Sequence, residues 1–162
     1  MLVFGSQAIL GSYPDAPATL RTSIEVDVQP RNHPENTDRV DGNLGELSRF
    51  HETYGFYVHG VSIEAAVLPR QWEKRTLIVA VSDPLGSGQY SGLCLEAHDL
   101  AASKLVADRD KDRTFVVTLL AEDLIDPATL AERVFELPVS AERRETLARW
   151  IESVSAELHP TG

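Results

Sequence analysis

The residues that could do chemistry begin with two carboxylates, Glu25 and Asp27, which stand two positions apart within residues 23–28. Apolar and polar residues alternate throughout that segment, which predicts a β-strand. Because alternate residues of a strand project from one face, their Cβ atoms are expected about 7 Å apart, close enough to share a Mg²⁺ ion. Half-exposed strands often carry alternating acids, so a solvated face is the competing interpretation.

A second chemical signal lies upstream, where an apolar run at residues 2–4 ends at Gly5 and Ser6 and residues 7–10 can begin a helix. Glycine permits close approach of the backbone, and the N–H groups at a helix start suit phosphate oxygens. A phosphate-binding turn beside a cation-binding strand is a coherent site for attack on the α-phosphorus of a nucleotide. The alternative is an ordinary Gly-Ser turn.

The elements that must position these residues change character near residue 97, where strand periodicity gives way to helical periodicity. This change predicts an α+β fold, with a mixed sheet in the N-terminal half followed by a helical C-terminal half. We see no linker there, so we expect a single domain over residues 1–162, sheet-rich at 1–97 and helical at 98–162, or two tightly packed lobes. The patterns predict further strands at 56–58, 61–68, 76–81 and 93–96, a helix at 44–54, loops at 11–20 and 29–43, a hairpin turn at 86–88, and helix starts at Asp99, Asp126 and Ser140.

Composition sets looser bounds on function. The 162 residues include 25 acidic and 15 basic side chains, giving a formal net charge of −10. That charge opposes broad attraction to nucleic acid, so any RNA contact would have to be local. The single cysteine, Cys94, lies in an apolar stretch typical of a buried thiol, and the five histidines lack metal-ligand spacing. No segment resembles a membrane span or a secretion leader, so we expect a cytoplasmic protein that does not contact a membrane.

Gly5-Ser6 followed by Glu25-Val26-Asp27 resembles the signature of the nucleotidyltransferase superfamily, in which such a turn precedes a pair of metal-binding acids. Residues 99–112, which include Lys104, Arg109 and the pair Lys111-Asp112, resemble the helical segment of AbiEii-like toxin nucleotidyltransferases. Together the two motifs cover the chain from residue 5 to about residue 120. Glu25 departs from the family pattern, because aspartate is usual there.

The resemblance implies a role for each motif residue. Glu25 and Asp27 would hold Mg²⁺, Gly5 and Ser6 would cradle the triphosphate, and a third carboxylate on a later central strand would complete the site; Glu64 is the candidate. Lysines and arginines on helices are more often solvated or in local ion pairs, and that interpretation stays open for the basic residues. By the resemblance, Lys104 would be catalytic and reach a phosphate. Arg109, Lys111 and Asp112 would support its helix or touch the acceptor, and the resemblance also counts Arg109 and Lys111 among the nucleotide-binding residues.

The activity implied by the resemblance is metal-dependent transfer of a nucleoside monophosphate from an NTP to an acceptor. For an AbiEii-like toxin the acceptor would be tRNA and the partner a cognate antitoxin of a toxin–antitoxin pair. Two alternatives remain. One is a catalytically inactive domain that keeps the nucleotidyltransferase fold and acts by protein binding. The other is transfer to an antibiotic or another small molecule.

Overall fold

The computed structural model describes residues 1–82, 86 and 89–160, except for the side chains of Val81 and Gln89. Within them it has five strands and seven α-helices, which confirms the α+β class and the mixed sheet. The predicted hairpin turn includes residues 87 and 88, which lie outside the described residues. The strands are β1 (Leu2–Phe4), β2 (Glu25–Gln29), β3 (Tyr57–Gly60), β4 (Leu77–Ser82) and β5 (Gln89–Cys94). The helices are α1 (Ile9–Ser12), α2 (Thr37–Leu44), α3 (Arg49–Tyr54), α4 (Ala97–Ala107), α5 (Asp110–Ala121), α6 (Pro127–Phe135) and α7 (Ala141–Leu158).

The chain divides into two compact units. The sheet unit comprises residues 1–65 and 75–96, and the helical unit comprises residues 66–74 and 97–162. The main division therefore falls at residues 96 and 97, where the sequence changes from strand to helical periodicity.

The sheet has the strand order β3-β2-β1-β5-β4. The strand β1 lies at its centre, antiparallel to β2 and parallel to β5. The outer pairs are parallel for β2 with β3 and antiparallel for β4 with β5. The two apolar side chains at the ends of β1, Leu2 and Phe4, are each only 5% exposed, so burial of this short strand anchors the sheet.

The helix α1 packs closely on β5 at a glycine. A Cβ atom on Gly11 would lie 2.4 Å from Cβ of Cys94, so a larger residue would separate the two elements. Cys94 is buried, as expected for a structural thiol, and this burial raises the pKa of the thiol and keeps it in the unreactive form.

Two helices of the helical unit, α6 and α7, begin where the sequence predicts helix starts. Asp126 accepts a hydrogen bond from the Thr129 backbone at the start of α6, and Ser140 accepts one from Arg143 at the start of α7. The prediction for Asp99 was wrong, because α4 begins two residues earlier and Asp99 is fully buried in its first turn. The core of this unit is filled by buried apolar side chains, which include Leu100, Leu105, Val116, Leu119, Leu130, Val134, Leu147 and Ile151.

Of two predictions on the way to the third strand, one was wrong and the other is confirmed only in part. The expected loop at 29–43 contains a 3-10 turn at Pro34–Asn36 and the helix α2, because Pro34 suits the first turn of a helical segment. The expected helix at 44–54 forms only over α3. Leu44 ends α2, Leu47 has a φ of 64°, and Ser48 then caps α3 as a separate helix.

The expected strand at 61–68 was also wrong: the chain forms a 3-10 turn at Ile63–Ala65. Its partner strand explains why. Val61 still donates a backbone hydrogen bond to the Val28 carbonyl, but β2 is directly followed by Pro30, which has no N–H to continue a ladder.

In the part of the chain that the structure describes, no helix is both long and apolar enough to cross a membrane.

Candidate functional site

Strand register brings three polar side chains together on one face of the sheet. In the parallel pairing of β2 with β3, Glu25 lies beside Tyr57 and Asp27 beside His59. The Nδ1 atom of His59 lies 2.9 Å from a carboxylate oxygen of Glu25 and 2.9 Å from one of Asp27. The two acids therefore converge on one point, as the alternation along β2 predicts.

The group formed by Glu25, Asp27 and His59 is called the candidate centre below, and Gly5 lies directly against it. Its φ of 73° with a ψ of −171° is a conformation that essentially only glycine adopts. A Cβ atom there would lie 2.0 Å from Oδ2 of Asp27, so the absence of a side chain is what lets the turn and the acid touch.

The segment after Gly5 is held against β2 by its own contacts. Half-buried Ser6 begins a 3-10 turn that runs directly into α1. The Gln7 side chain donates a 2.6 Å hydrogen bond to the Ser23 carbonyl just before β2. The turn is thereby fixed beside the acidic strand.

The local electrostatic field is negative. The pKa of Tyr57 is raised, first by burial and then by carboxylate charges that include Glu25 and Asp27. Burial by itself lowers the pKa of His59, but its hydrogen bond to Asp27 and the nearby carboxylates outweigh that effect, so the pKa is raised above its usual value. A positive group is therefore stabilised at this position.

These residues could also hold a metal ion. One ligand atom from each of Glu25, Asp27 and His59 lies within 4.8 Å of the others. The side chains are 36%, 25% and 40% exposed respectively, so the centre is open on one side.

His59 was missed by the sequence reasoning, which looked for histidine pairs at metal-ligand spacing. The signal that could have found it is the alternation of Tyr57 and His59 along a strand beside a strand carrying two acids. Using that signal requires the β2–β3 register, because a shift of one residue would turn His59 to the opposite face.

Glu64 does not have the setting that was predicted for it. It lies exposed in the 3-10 turn after β3 instead of on a central strand, and it is not part of the converging group. The strand β3 ends before Glu64 because Pro30 follows β2. Glu64 is also five positions from His59, so a longer strand would turn it to the opposite face, and His59 occupies the position beside Asp27.

Two of the three basic residues that the second motif singled out, Lys104 and Arg109, meet Asp112 in the helical unit. Asp112 is completely buried, and Lys104, which is 8% exposed, donates a 2.9 Å hydrogen bond to it from α4. Arg109 donates a second hydrogen bond to the other oxygen of Asp112. The ammonium group of Lys104 also lies 5.0 Å from the centre of the Phe115 ring. Lys111 is exposed on α5.

Burial raises the pKa of Asp112, but the hydrogen bonds from Arg109 and Lys104 lower it by more, so the carboxylate stays ionised. The cluster thus has the character of a structural ion pair that joins α4 to α5, and the phosphate-binding roles of Lys104, Arg109 and Lys111 stay predictions.

The chain matches no family model, no curated protein and no solved structure.

Proposed function

We propose that this chain is a metal-dependent nucleotidyltransferase that moves a nucleoside monophosphate from an NTP to an acceptor and releases pyrophosphate. The observation that carries the proposal is the contact between two parts of the first motif. A Cβ atom placed on Gly5 would lie only 2.0 Å from Oδ2 of Asp27, so the two residues are in direct contact. A turn suited to phosphate and a strand suited to a cation are thus adjacent, although Gly5 and Glu25 are 20 positions apart in the sequence.

The residues divide the work by their chemistry. Gly5 and Ser6 would bind phosphate oxygens through the backbone and the hydroxyl, since only a glycine lets the backbone come this close. Glu25 and Asp27 would bind the divalent cation, which when present screens phosphate charge and orients the attacking group. Their partial exposure leaves one side of the centre open to a nucleotide.

The acceptor proposed from the resemblance to AbiEii-like toxins is tRNA, with an antitoxin as protein partner. A net charge of −10 opposes general binding to RNA, so the contact would be local and its affinity would fall as salt rises. Transfer to a small molecule or to a protein would use the same acids and would differ only in the acceptor that receives the nucleoside monophosphate.

A second function, binding of a partner protein without catalysis, is favoured by one observation. His59 already lies 2.9 Å from both carboxylates, and a protonated imidazole there would balance part of their charge without any cation. In that case the centre would serve as a stable part of the fold.

Transfer of label from an α-labelled NTP separates these functions. Each NTP is incubated with Mg²⁺ or Mn²⁺ and total tRNA, and label is counted on RNA, on protein and on small molecules. We expect label on RNA from the wild-type chain and at least a hundredfold less from Asp27→Asn, the order of magnitude typical for loss of one electrostatic catalytic group.

Asp15→Asn is the matched control, because Asp15 is an exposed aspartate of the same unit that lies outside the converging group. It removes the same charge and should transfer label like the wild type. If no fraction is labelled by the wild type with either cation, or if Asp27→Asn labels as well as Asp15→Asn, the proposed transferase is wrong.

A further inference from the structure

The donor set of the candidate centre differs from the one that the sequence resemblance implies. The resemblance implies carboxylates alone, whereas the structure adds the Nδ1 nitrogen of His59 at 2.9 Å from both acids. Mg²⁺ prefers oxygen ligands in near-octahedral geometry, while imidazole nitrogen suits first-row transition metals such as iron, nickel, copper and zinc. Mn²⁺ shares the oxygen preference of Mg²⁺ but, as a transition-metal ion, takes a nitrogen ligand more readily than Mg²⁺ does. The chemistry of the donors therefore discriminates between cations.

We infer that Glu25, Asp27 and His59 form a mixed nitrogen–oxygen centre that binds a first-row transition-metal ion, such as Mn²⁺, in preference to Mg²⁺. This inference rests on the proposed function only in taking the cation as one that serves a nucleotide. The preference itself follows from the donors.

The position of His59 is fixed by backbone contacts on both sides of β3. On one side, pairing with β2 places His59 beside Asp27. On the other side, α2 approaches so closely that a Cβ atom on Gly60 would lie 2.3 Å from the Thr37 carbonyl oxygen. The Gly60 N–H also donates a 3.2 Å hydrogen bond to Asp41. The imidazole is thus presented by a fixed strand, which is what a metal ligand requires.

The charge and exposure of the centre suit an exchangeable ion. Two carboxylates face one histidine, and the charges of Asp41 and Glu46 also act on the neighbouring Tyr57. Three protein ligands with one open side leave coordination positions for water or phosphate, an arrangement typical of catalytic metal sites and not of closed structural ones. A cation would relieve the excess of negative charge.

Electron paramagnetic resonance of Mn²⁺ bound to the purified chain tests the inference directly. We expect magnetic coupling of the ion to a directly bonded nitrogen in the wild type and its loss in His59→Asn. The control is His33→Asn, which removes an exposed histidine of the same unit that pairs with Glu35. That variant should keep the coupling.

Competition between the two cations supplies a second readout. Loss of even an outer hydrogen-bond partner of a metal ligand typically costs about 10- to 100-fold in metal affinity. We therefore expect loss of the direct ligand in His59→Asn to lower the ratio of Mn²⁺ to Mg²⁺ affinity about tenfold or more. A second variant, His59→Asp, replaces nitrogen by oxygen and should move the preference toward Mg²⁺. It also provides the comparison if His59→Asn does not fold.

Absence of nitrogen coupling in the wild type, or an unchanged affinity ratio in both His59 variants, would overturn the inference. Its failure is distinguishable from failure of the proposed function. Nitrogen-coupled Mn²⁺ without any label transfer would leave the metal centre standing and remove the transferase. Label transfer that depends on Asp27 but not on His59, with no nitrogen coupling, would do the reverse.

Discussion

Asp27 in the sheet unit and Asp112 in the helical unit are two aspartates in opposite settings. Asp112 is fully buried and receives hydrogen bonds from two cationic side chains, Lys104 and Arg109. Asp27 is 25% exposed, stands beside a second acid, Glu25, and shares one histidine with it. Asp112 is thus buried with its charge neutralised by cations, as in an ion pair that joins two helices. Asp27 is partly exposed with an excess of negative charge around it, so its group of side chains could hold a cation.

The physical consequence is a difference in what each carboxylate does for stability. Removing one partner of a buried ion pair leaves an uncompensated charge in a medium of low dielectric constant. Removing one of two partly exposed acids relieves repulsion and exposes little that water cannot solvate. The following changes would break or sharpen this contrast.

The largest expected effect is at Asp112. Asp112→Ala leaves Lys104 buried without its acid, and we expect the free energy of unfolding to fall by about 3–5 kcal/mol. Urea denaturation measures it, with Asp110→Ala as the control, since Asp110 is an exposed aspartate of the same helix. If both variants lose the same small amount, Asp112 is not a structural partner.

The pH dependence of that effect is expected to be smaller than the effect itself. Because the pKa of Asp112 is lower in the folded chain than its usual value, its carboxylate stabilises the fold at pH values above the unfolded pKa of about 3.9. This contribution is lost as the pH falls through the folded pKa. Denaturation of wild type and Asp112→Asn at pH 7, 5 and 3 should therefore converge toward the acidic end, whereas a constant difference would contradict the assignment.

Gly5→Ala is expected to cost about 1–3 kcal/mol from backbone strain and also to displace Asp27. Gly55→Ala is the control, because Gly55 has a similar φ of 74° but nothing within 4 Å of an added Cβ atom. Both variants should lose stability in thermal denaturation, but only Gly5→Ala should lose Mn²⁺ binding. Equal Mn²⁺ binding by the two variants would show that the contact between Gly5 and Asp27 does not affect cation binding.

The smallest expected effect on stability is at the acids of the candidate centre. Asp27→Asn and Glu25→Gln should each change the free energy of unfolding by less than about 1 kcal/mol, the range for partly exposed ion pairs. Urea denaturation without added cation measures this. A loss comparable to that of Asp112→Ala would place the two aspartates in the same structural class and remove the contrast.

Local patterns predicted part of this arrangement. The alternation along β2 predicted that Glu25 and Asp27 share a face, and the glycine of the first motif does lie at the turn beside them. The shared face depends on strand geometry alone and the turn on residues near each other in sequence, whereas the contact of that turn with Asp27 joins two distant segments.

The rest depended on distant contacts. The place of His59 is set by strand register. The end of β3, which removed Glu64 from the expected strand, follows from Pro30, the residue directly after the neighbouring strand β2. The pairing of Lys104 with Asp112 joins two helices, so helix periodicity could predict the buried face but not the partner of the charge.

The most direct test of the central claim is the location of a bound cation in the wild-type chain. Small amounts of Mn²⁺ are titrated into the ¹⁵N-labelled protein, and paramagnetic broadening of each backbone amide signal is followed by NMR. The account predicts that signals of Gly5, Asp27 and His59 broaden first and most strongly. Broadening that is strongest around Lys104 and Asp112, or that is spread evenly over exposed acids, would contradict it.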